Sequence, residues 1–132
     1  MTSSIANPAG RALDAQPLPP RPSGTLAGRT LSVASNAQLV LRPKEVILTF
    51  DDGPRPGKTE AILDALDTFG VKATFLMLGE AALRHPQLAQ TVARRGHTIG
   101  SHTHSHPDLT TLTHAQAMAE IQRGHEAVGQ AL

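Results

Sequence analysis

Short apolar segments alternate with segments of helical periodicity from residue 44 to residue 132, and this alternation constrains the fold more than any other feature of the sequence. Short apolar, β-branched runs are typical of buried strands, whereas apolar residues three and four apart are typical of helices. Strands are predicted at Val46–Phe50, Ala73–Leu78 and His97–Ser101. The resulting order β-α-β-α-β-α indicates parallel strands joined by right-handed crossovers, and therefore an α/β fold.

Helix boundaries are marked by capping and turn residues. Gly57 precedes the first predicted helix, and a second helical region follows Gly79, with Pro86 suited to a first helical turn. Thr113 and Gln116 have the spacing of a capping box for a final helix. The residues expected to face the core are Ile62, Leu63, Leu66 and Phe69 in the first helix, Leu88, Ala89, Val92 and Ala93 in the second, and Ala117, Ile121 and Val128 in the third.

Residues 1–43 differ in composition from the rest of the chain. They are rich in Pro, Ser, Ala and Gly and have no sustained apolar period, which favours a flexible leader or linker. We predict a single domain over residues 44–132. Arg11 and Asp14 interrupt the pattern expected of a signal peptide, and no segment approaches the roughly 20 apolar residues of a membrane span.

The composition excludes several kinds of partner and site. The formal net charge is +1, with charges of both signs interspersed, and Trp and Tyr are absent, so neither an electrostatic nor a stacking surface for nucleic acid is predicted. Cys is absent, which excludes disulfides and thiolate ligands. Any metal must therefore be held by nitrogen and oxygen atoms.

Two adjacent carboxylates, Asp51 and Asp52, follow the first predicted strand within the segment Thr49–Pro54. Active sites of parallel α/β folds lie at the carboxyl ends of the strands, so these residues are candidates for metal binding and proton transfer. A simple turn is the alternative, because Asp, Gly and Pro all favour turns. A phosphatase-type loop needs a residue between its two carboxylates and is disfavoured.

Three histidines, His102, His104 and His106, follow the third predicted strand. Imidazole is the commonest metal ligand among side chains. A solvated polar loop is the alternative, and three histidines within five residues disfavour it. One helical turn would bring His102 and His106 to one face, whereas an extended chain would bring all three together, so spacing leaves His104 undecided. A structural role is preferred for the scattered histidines His85, His97, His114 and His125.

The two motifs together resemble those of the NodB-homology polysaccharide deacetylases, carbohydrate esterase family 4. Thr49–Pro54 reads Thr-Phe-Asp-Asp-Gly-Pro and matches the first family motif completely. His102–His106 matches the second, His-[Ser/Thr]-x-x-His, and Gly96–Gly100 and Pro107 fit the usual flanks. The resemblance covers about residues 44 to 132.

This resemblance implies a fold, a site and a reaction. The fold would be a partial distorted (β/α) barrel of the NodB type, with about three βα units. Asp51 would be the catalytic base, and Asp52, His102 and His106 would hold a divalent metal, Zn first, with Co, Ni and Mn as alternatives. His104 falls at a position of the motif that any residue can occupy, so it is not among the implied ligands. Thr103 would orient the loop. The reaction would be hydrolysis of N-acetyl groups on a carbohydrate, an N-acetylglucosamine polymer such as peptidoglycan or chitooligosaccharides, at the cell envelope or outside the cell.

Other interpretations stay open on the sequence. The later family motifs, including the histidine that acts as general acid, have no counterpart here, so we expect weak metal binding and little deacetylase activity from the isolated chain. An inactive metal-binding remnant or a binding module is therefore the main alternative. Two histidines and a carboxylate also suit a non-haem iron oxygenase, which the complete Thr-Phe-Asp-Asp-Gly-Pro match disfavours. The resemblance also admits amidohydrolases that act on small imides or other acylated sugars. An unpaired edge beside the third strand would favour association.

Overall fold

A computed structural model describes Leu39, Leu41 and residues 43–132. The predicted leader over residues 1–43 otherwise lies outside the described residues, and the domain boundary at residue 44 stays a prediction. The elements of the described part, in chain order, are β1 (Thr49–Gly53), α1 (Lys58–Thr68), β2 (Thr74–Met77), α2 (Gly79–Arg84), α3 (Pro86–Arg94), β3 (Thr98–Ser101), a 3₁₀ helix (Leu109–Thr111) and α4 (His114–Ala131).

The strands of the described residues form one parallel sheet in the order β1-β2-β3. Thr49 is paired with Thr74, and Thr74 with Thr98, so the strands start level with one another. Their carboxyl ends are level too, because Met77 is the partner of both Gly53 and Ser101. The predicted α/β class, with three parallel βα units, is confirmed, and the turns after all three strands meet at one edge.

The first strand differs from its predicted position. It begins at Thr49 instead of Val46 and extends through both aspartates to Gly53. Val46 is 74% exposed, and Ile47 and Leu48 are exposed as well. The prediction was wrong here because β1 lies at an edge of the described sheet and its partner β2 starts only at Thr74, whose N–H donates to the Leu48 carbonyl.

The core lies where the helices pack on the sheet. Leu63 of α1, Met77 of β2 and Val92 of α3 are its largest fully buried apolar side chains. Phe69, predicted to be inward, is 57% exposed, and Ala93 is exposed too. At a helical period of 3.6 residues Phe69 lies about 120° around the helix from Leu63, outside the inward stripe.

The second helical region consists of two helices that meet at His85. Pro86 occupies the first position of α3, as predicted, where its missing N–H costs no helical hydrogen bond. Ala89 and Val92 face the core, as the periodicity of this segment indicates.

The final helix starts at the predicted capping box. The Gln116 N–H donates to Thr113 Oγ1 (3.3 Å), and the Thr113 N–H donates to Gln116 Oε1 (2.9 Å). Val128 is buried, but Ile121 is 42% exposed, so its predicted inward position was wrong. The buried stripe instead follows an i, i+4, i+7 pattern of small and polar residues: Glu120, Gly124, Ala127, Val128 and Ala131.

Candidate metal centre

Asp52 lies in an irregular part of β1. The pairing register with β2 shifts between Asp51 and Gly53, and Asp52 has a positive φ of 67°. Such a bulge turns a side chain out of the regular alternation of the strand. Asp52 is half-buried, and among the described residues no donor makes a hydrogen bond to its buried Oδ1.

The histidine loop, His102–His106, follows β3 and is neither helical nor extended. The His102 N–H donates to the Met77 carbonyl (2.8 Å), which continues the pattern of the sheet by one residue. Thr103 (φ 67°) and His106 (φ 61°) then turn the chain, and the His106 N–H donates to Thr103 Oγ1 (3.1 Å). The two spacing arguments made from sequence therefore both fail, and the loop geometry decides which histidines meet.

The loop brings two imidazoles to Asp52. The Nε2 atoms of His102 and His106 each lie 3.6 Å from Asp52 Oδ1, and the three donor atoms lie within 4.8 Å of one another. A separation of 3.6 Å is too long for a direct N–H···O hydrogen bond. Donors about 2.0–2.1 Å from a tetrahedral Zn²⁺ are roughly 3.3–3.4 Å apart, so this arrangement fits a divalent ion.

The chemistry of the donors agrees with this fit. A buried carboxylate oxygen without a hydrogen-bond donor is costly unless a cation neutralises it. Asp52 Oδ1 has no donor among the described residues and lies 3.6 Å from the Nε2 atoms of both His102 and His106. Two imidazoles and one carboxylate leave coordination positions open, which a catalytic metal requires.

Backbone strain is concentrated at the same place. Within residues 43–132, positive φ angles at non-glycine residues occur at Lys44, Asp52, Thr103 and His106. Two of these four are candidate ligands, and Thr103 belongs to the loop that carries the histidines. Each such conformation costs about 1 kcal/mol or more and persists only where surrounding contacts hold it. The strain therefore indicates that the surrounding structure holds the donor positions.

Asp51 and His104 lie outside the three-residue cluster. Asp51 is exposed and opposite Leu76 in the sheet, so its carboxylate is open to solvent beside Asp52. His104, which spacing left undecided, is half-buried, and its buried Nδ1 makes no hydrogen bond within the described residues. The assignment of Asp51 as a base and of Asp52, His102 and His106 as ligands remains a prediction.

His97 has a structural environment. It is buried, its Nδ1 accepts a hydrogen bond from the Ala73 N–H (3.2 Å), and its ring packs edge-on against Phe75. Burial lowers the pKa of His97, and the nearby charge of Lys72 lowers it further. These contacts favour the neutral imidazole and agree with the structural role predicted for this residue.

Glu120 contacts the histidine loop, and sequence reasoning missed it. Its buried Oε1 accepts hydrogen bonds from the His104 N–H, the Ser105 N–H and the Ser105 hydroxyl. Burial alone would raise the pKa of Glu120, but the hydrogen bonds from Ser105 and the charge of Arg123 hold this pKa below its ordinary value. The available signal was a helical stripe in which Glu120 precedes Gly124 and Val128 at four-residue spacing.

Comparison with known proteins identifies the family. The sequence model described as polysaccharide deacetylase matches residues 38–132. The chain is 43% identical over 86 residues to a peptidoglycan-N-acetylglucosamine deacetylase of Bacillus cereus, covering 65% of this chain and 31% of the relative. It is 44% identical over 85 residues to a chitooligosaccharide deacetylase of Rhizobium leguminosarum bv. trifolii, covering 64% and 40%.

A solved structure supports the same relationship. A family 4 carbohydrate esterase from Streptomyces lividans, in complex with acetate, has a TM-score of 0.62 and 38% identity, over 65% of this chain and 44% of that one. The chain thus spans less than half the length of each of these relatives. Among the described residues, no helix combines the length and apolar character needed to cross a membrane. The family match, which includes both motifs of the candidate centre, leads to one conclusion: the chain belongs to the polysaccharide deacetylase family.

Proposed function

We propose that the chain forms the metal-binding part of an enzyme that hydrolyses N-acetyl groups on an N-acetylglucosamine polymer. One observation carries the proposal, namely the buried Asp52 Oδ1 that lies 3.6 Å from the Nε2 atoms of both His102 and His106. The names of the relatives support the substrate class, since one is a peptidoglycan deacetylase and another a chitooligosaccharide deacetylase. Peptidoglycan chemistry also favours the cell envelope or the cell exterior.

The residues of the centre divide the chemistry between them. Asp52, His102 and His106 would hold the divalent ion, with Zn²⁺ preferred by the donor set and Co²⁺, Ni²⁺ and Mn²⁺ as alternatives. When bound, such an ion supplies Lewis-acid activation of water and of an acyl carbonyl. Asp51, exposed beside Asp52, would accept a proton from an attacking water molecule. The Thr103 hydroxyl accepts a hydrogen bond from the His106 N–H and so keeps His106 in place.

Three further proposals concern the module and its partners. Residues 44–132 form the folded module. A carbohydrate is its substrate. Val46, Ile47 and Leu48 expose apolar side chains next to β1, and β3 is the other edge of the described sheet. Open strand edges and exposed apolar groups favour pairing with another segment, so we propose association through a sheet edge.

Calorimetric titration with Zn²⁺ tests the site. The wild-type chain should bind one ion, and Asp52→Ala and His106→Ala should each weaken binding by more than about 100-fold, because removal of a ligand costs more than loss of an outer contact. His125→Ala is the matched control, since His125 is exposed on α4 and lies outside the three-residue cluster. Binding unaffected by both ligand variants would place the metal elsewhere.

Release of acetate from chitooligosaccharides tests the reaction. Asp51→Asn should bind Zn²⁺ like the wild type and should lower the slow acetate release expected of the isolated chain by about 100-fold or more, as expected for loss of a general base. Zn²⁺ binding by a wild-type chain that releases no acetate would favour the alternative, a metal-binding module without catalytic activity. Oxygen consumption with Fe²⁺ and an oxo-acid would instead support an oxygenase.

A further inference from the structure

The middle of the histidine loop is held from two sides. On one side, the Gly79 N–H donates to the Thr103 carbonyl (3.0 Å) and the Glu80 N–H donates to the His104 carbonyl (3.1 Å). On the other side, Glu120 of α4 accepts hydrogen bonds from the amides of His104 (3.1 Å) and Ser105. The backbone between the two ligand histidines therefore has partners on both its donors and its acceptors.

Glu120 makes the larger share of these contacts. The residue is only 7% exposed, and its Oε1 also accepts a hydrogen bond from the Ser105 hydroxyl (2.8 Å). Its Oε2 lies 3.6 Å from Arg123 Nη1, at the solvent side. Hydrogen bonds to an ionised carboxylate are roughly twice as strong as neutral ones, so this one side chain anchors two consecutive backbone amides.

Close packing prevents the loop from moving towards α4. A Cβ added at Gly124 would overlap the carbonyl group of Thr103 and would lie 2.8 Å from the His104 amide nitrogen. A Cβ added at Gly79 would lie 2.6 Å from His104 Nδ1. The loop thus lies between α2 and α4 at distances that only glycine permits on either side.

These contacts affect the positions of the metal ligands because the held segment lies between the two ligand histidines. His102 precedes the held segment and His106 follows it, and the His106 amide is bonded to Thr103. A shift of the segment would move both imidazoles relative to Asp52, which belongs to a different strand. Metal affinity is sensitive to such shifts, and residues that orient ligands typically change it by about 10–100-fold.

We propose that Glu120 is a positioning residue for the metal centre, which sets the separation of His102 and His106 by anchoring the backbone between them. The proposal rests on the proposed function, since it assumes that these histidines bind the ion. Glu120 is not a member of the ligand cluster, and its proposed effect on the ion passes through the loop alone.

Three substitutions of Glu120 separate charge from reach. Glu120→Ala removes the acceptor and should weaken Zn²⁺ binding by about 10–100-fold. Glu120→Gln keeps an acceptor oxygen at the same position, so its Zn²⁺ affinity should be much closer to that of the wild type than to that of Glu120→Ala. Glu120→Asp keeps the charge but is one methylene shorter, so it should resemble Ala, and it replaces Ala in the test if Ala does not fold. Glu126→Ala is the control, since Glu126 is exposed on the same helix.

Visible absorption of the Co²⁺-saturated chain distinguishes positioning from a purely structural role, because the spectrum depends on ligand geometry. We expect an altered spectrum in Glu120→Ala and an unaltered one in Glu126→Ala, with melting of each metal-free variant recorded alongside. Wild-type Zn²⁺ affinity in Glu120→Ala and Glu120→Asp would overturn the proposal. So would weaker affinity that follows a lower metal-free melting temperature while the Co²⁺ spectrum is unchanged.

The ligand variants keep the two proposals apart. If Zn²⁺ binding is lost in Asp52→Ala while Glu120→Ala and Glu120→Asp bind Zn²⁺ as tightly as the wild type, the metal centre stands and the positioning role is rejected. If the wild-type chain does not bind Zn²⁺, or binds it equally well in Asp52→Ala, the proposed centre itself is wrong and the role of Glu120 is rejected with it.

Discussion

Two glycines on α4 allow one substitution to be tested in two environments. Gly124 is buried against the histidine loop, whereas Gly129 is exposed on the same helix, and among the described residues nothing lies within 4 Å of a Cβ added there. Replacing glycine by alanine in a helix favours folding by about 0.5–1 kcal/mol, because the unfolded chain loses conformational freedom. Gly129→Ala should therefore be slightly more stable than the wild type.

Gly124→Ala should have the opposite effect. Its added methyl group would overlap the Thr103 carbonyl, which belongs to the backbone and cannot rotate away. Overpacking of this kind costs roughly 1–3 kcal/mol, and displacement of the loop would weaken charge-assisted hydrogen bonds to Glu120 worth about 1.5–3 kcal/mol each. The helix-propensity gain is common to both variants and cancels in their comparison, so overpacking together with partial weakening of one hydrogen bond should make Gly124→Ala less stable than Gly129→Ala by about 2–4 kcal/mol.

Urea unfolding followed by far-ultraviolet circular dichroism measures this difference directly. For a domain of about this size 1 kcal/mol corresponds to roughly 4–8 °C in Tm, so the melting temperatures of the two variants should differ by at least about 8 °C. Zn²⁺ affinity should fall in Gly124→Ala and stay unchanged in Gly129→Ala. Equal stabilisation in both variants would refute the close approach of α4 to the histidine loop.

Other predictions concern the buried histidine, the helix cap and the metal. Burial is the main cause that lowers the pKa of His97, and the charges of Lys72 and Arg95 add to it, while Asp67 acts in the opposite direction. The neutral ring therefore contributes stability above about pH 6.5 that is lost as the pH falls through the lower folded-state pKa. The free energy of unfolding should fall more between pH 7.5 and pH 5.5 in the wild type than in His97→Asn, and parallel curves would contradict this. Thr113→Ala should cost about 1 kcal/mol in urea unfolding through loss of the N-cap, whereas no change would exclude the capping box. Zn²⁺ at about 100 times its Kd should add about 2.7 kcal/mol of stability that EDTA removes, and a melting temperature insensitive to Zn²⁺ would contradict binding to the folded chain.

The fold class was predictable because it depends on periodicity. Alternating apolar runs and helical patterns indicated parallel strands, and the three βα units follow that order. Strand and helix ends were predicted where a residue has a local role, such as Pro86 at the start of α3 and Thr113 at the start of α4. Strand ends that depend on neighbouring strands were not predictable. Val46 is apolar enough for a strand, but among the described residues no strand pairs with it.

The candidate centre was only partly predictable. Its residue types were visible as two motifs at strand ends, and the topology explains why they meet. Spacing alone could not decide which histidines face Asp52, because positive φ angles at Thr103 and His106 give the loop a path that neither a helix nor a strand would follow. Only the resemblance to the family pointed to His102 and His106 together. Glu120 belongs to a helical stripe with Gly124 and Val128, which indicates an inward position but names no partner. Its hydrogen bonds to the loop could be seen only in the structure.

The sequence by itself determined the α/β order, the nitrogen and oxygen chemistry of the site and the resemblance to polysaccharide deacetylases, because these depend on residue type and short-range spacing. Tertiary structure alone decided the 3.6 Å separation of Asp52 Oδ1 from both imidazoles and the seating of the histidine loop between Gly79 and Gly124. Those distances depend on residues far apart in the chain, which only the packing of strands and helices brings into contact.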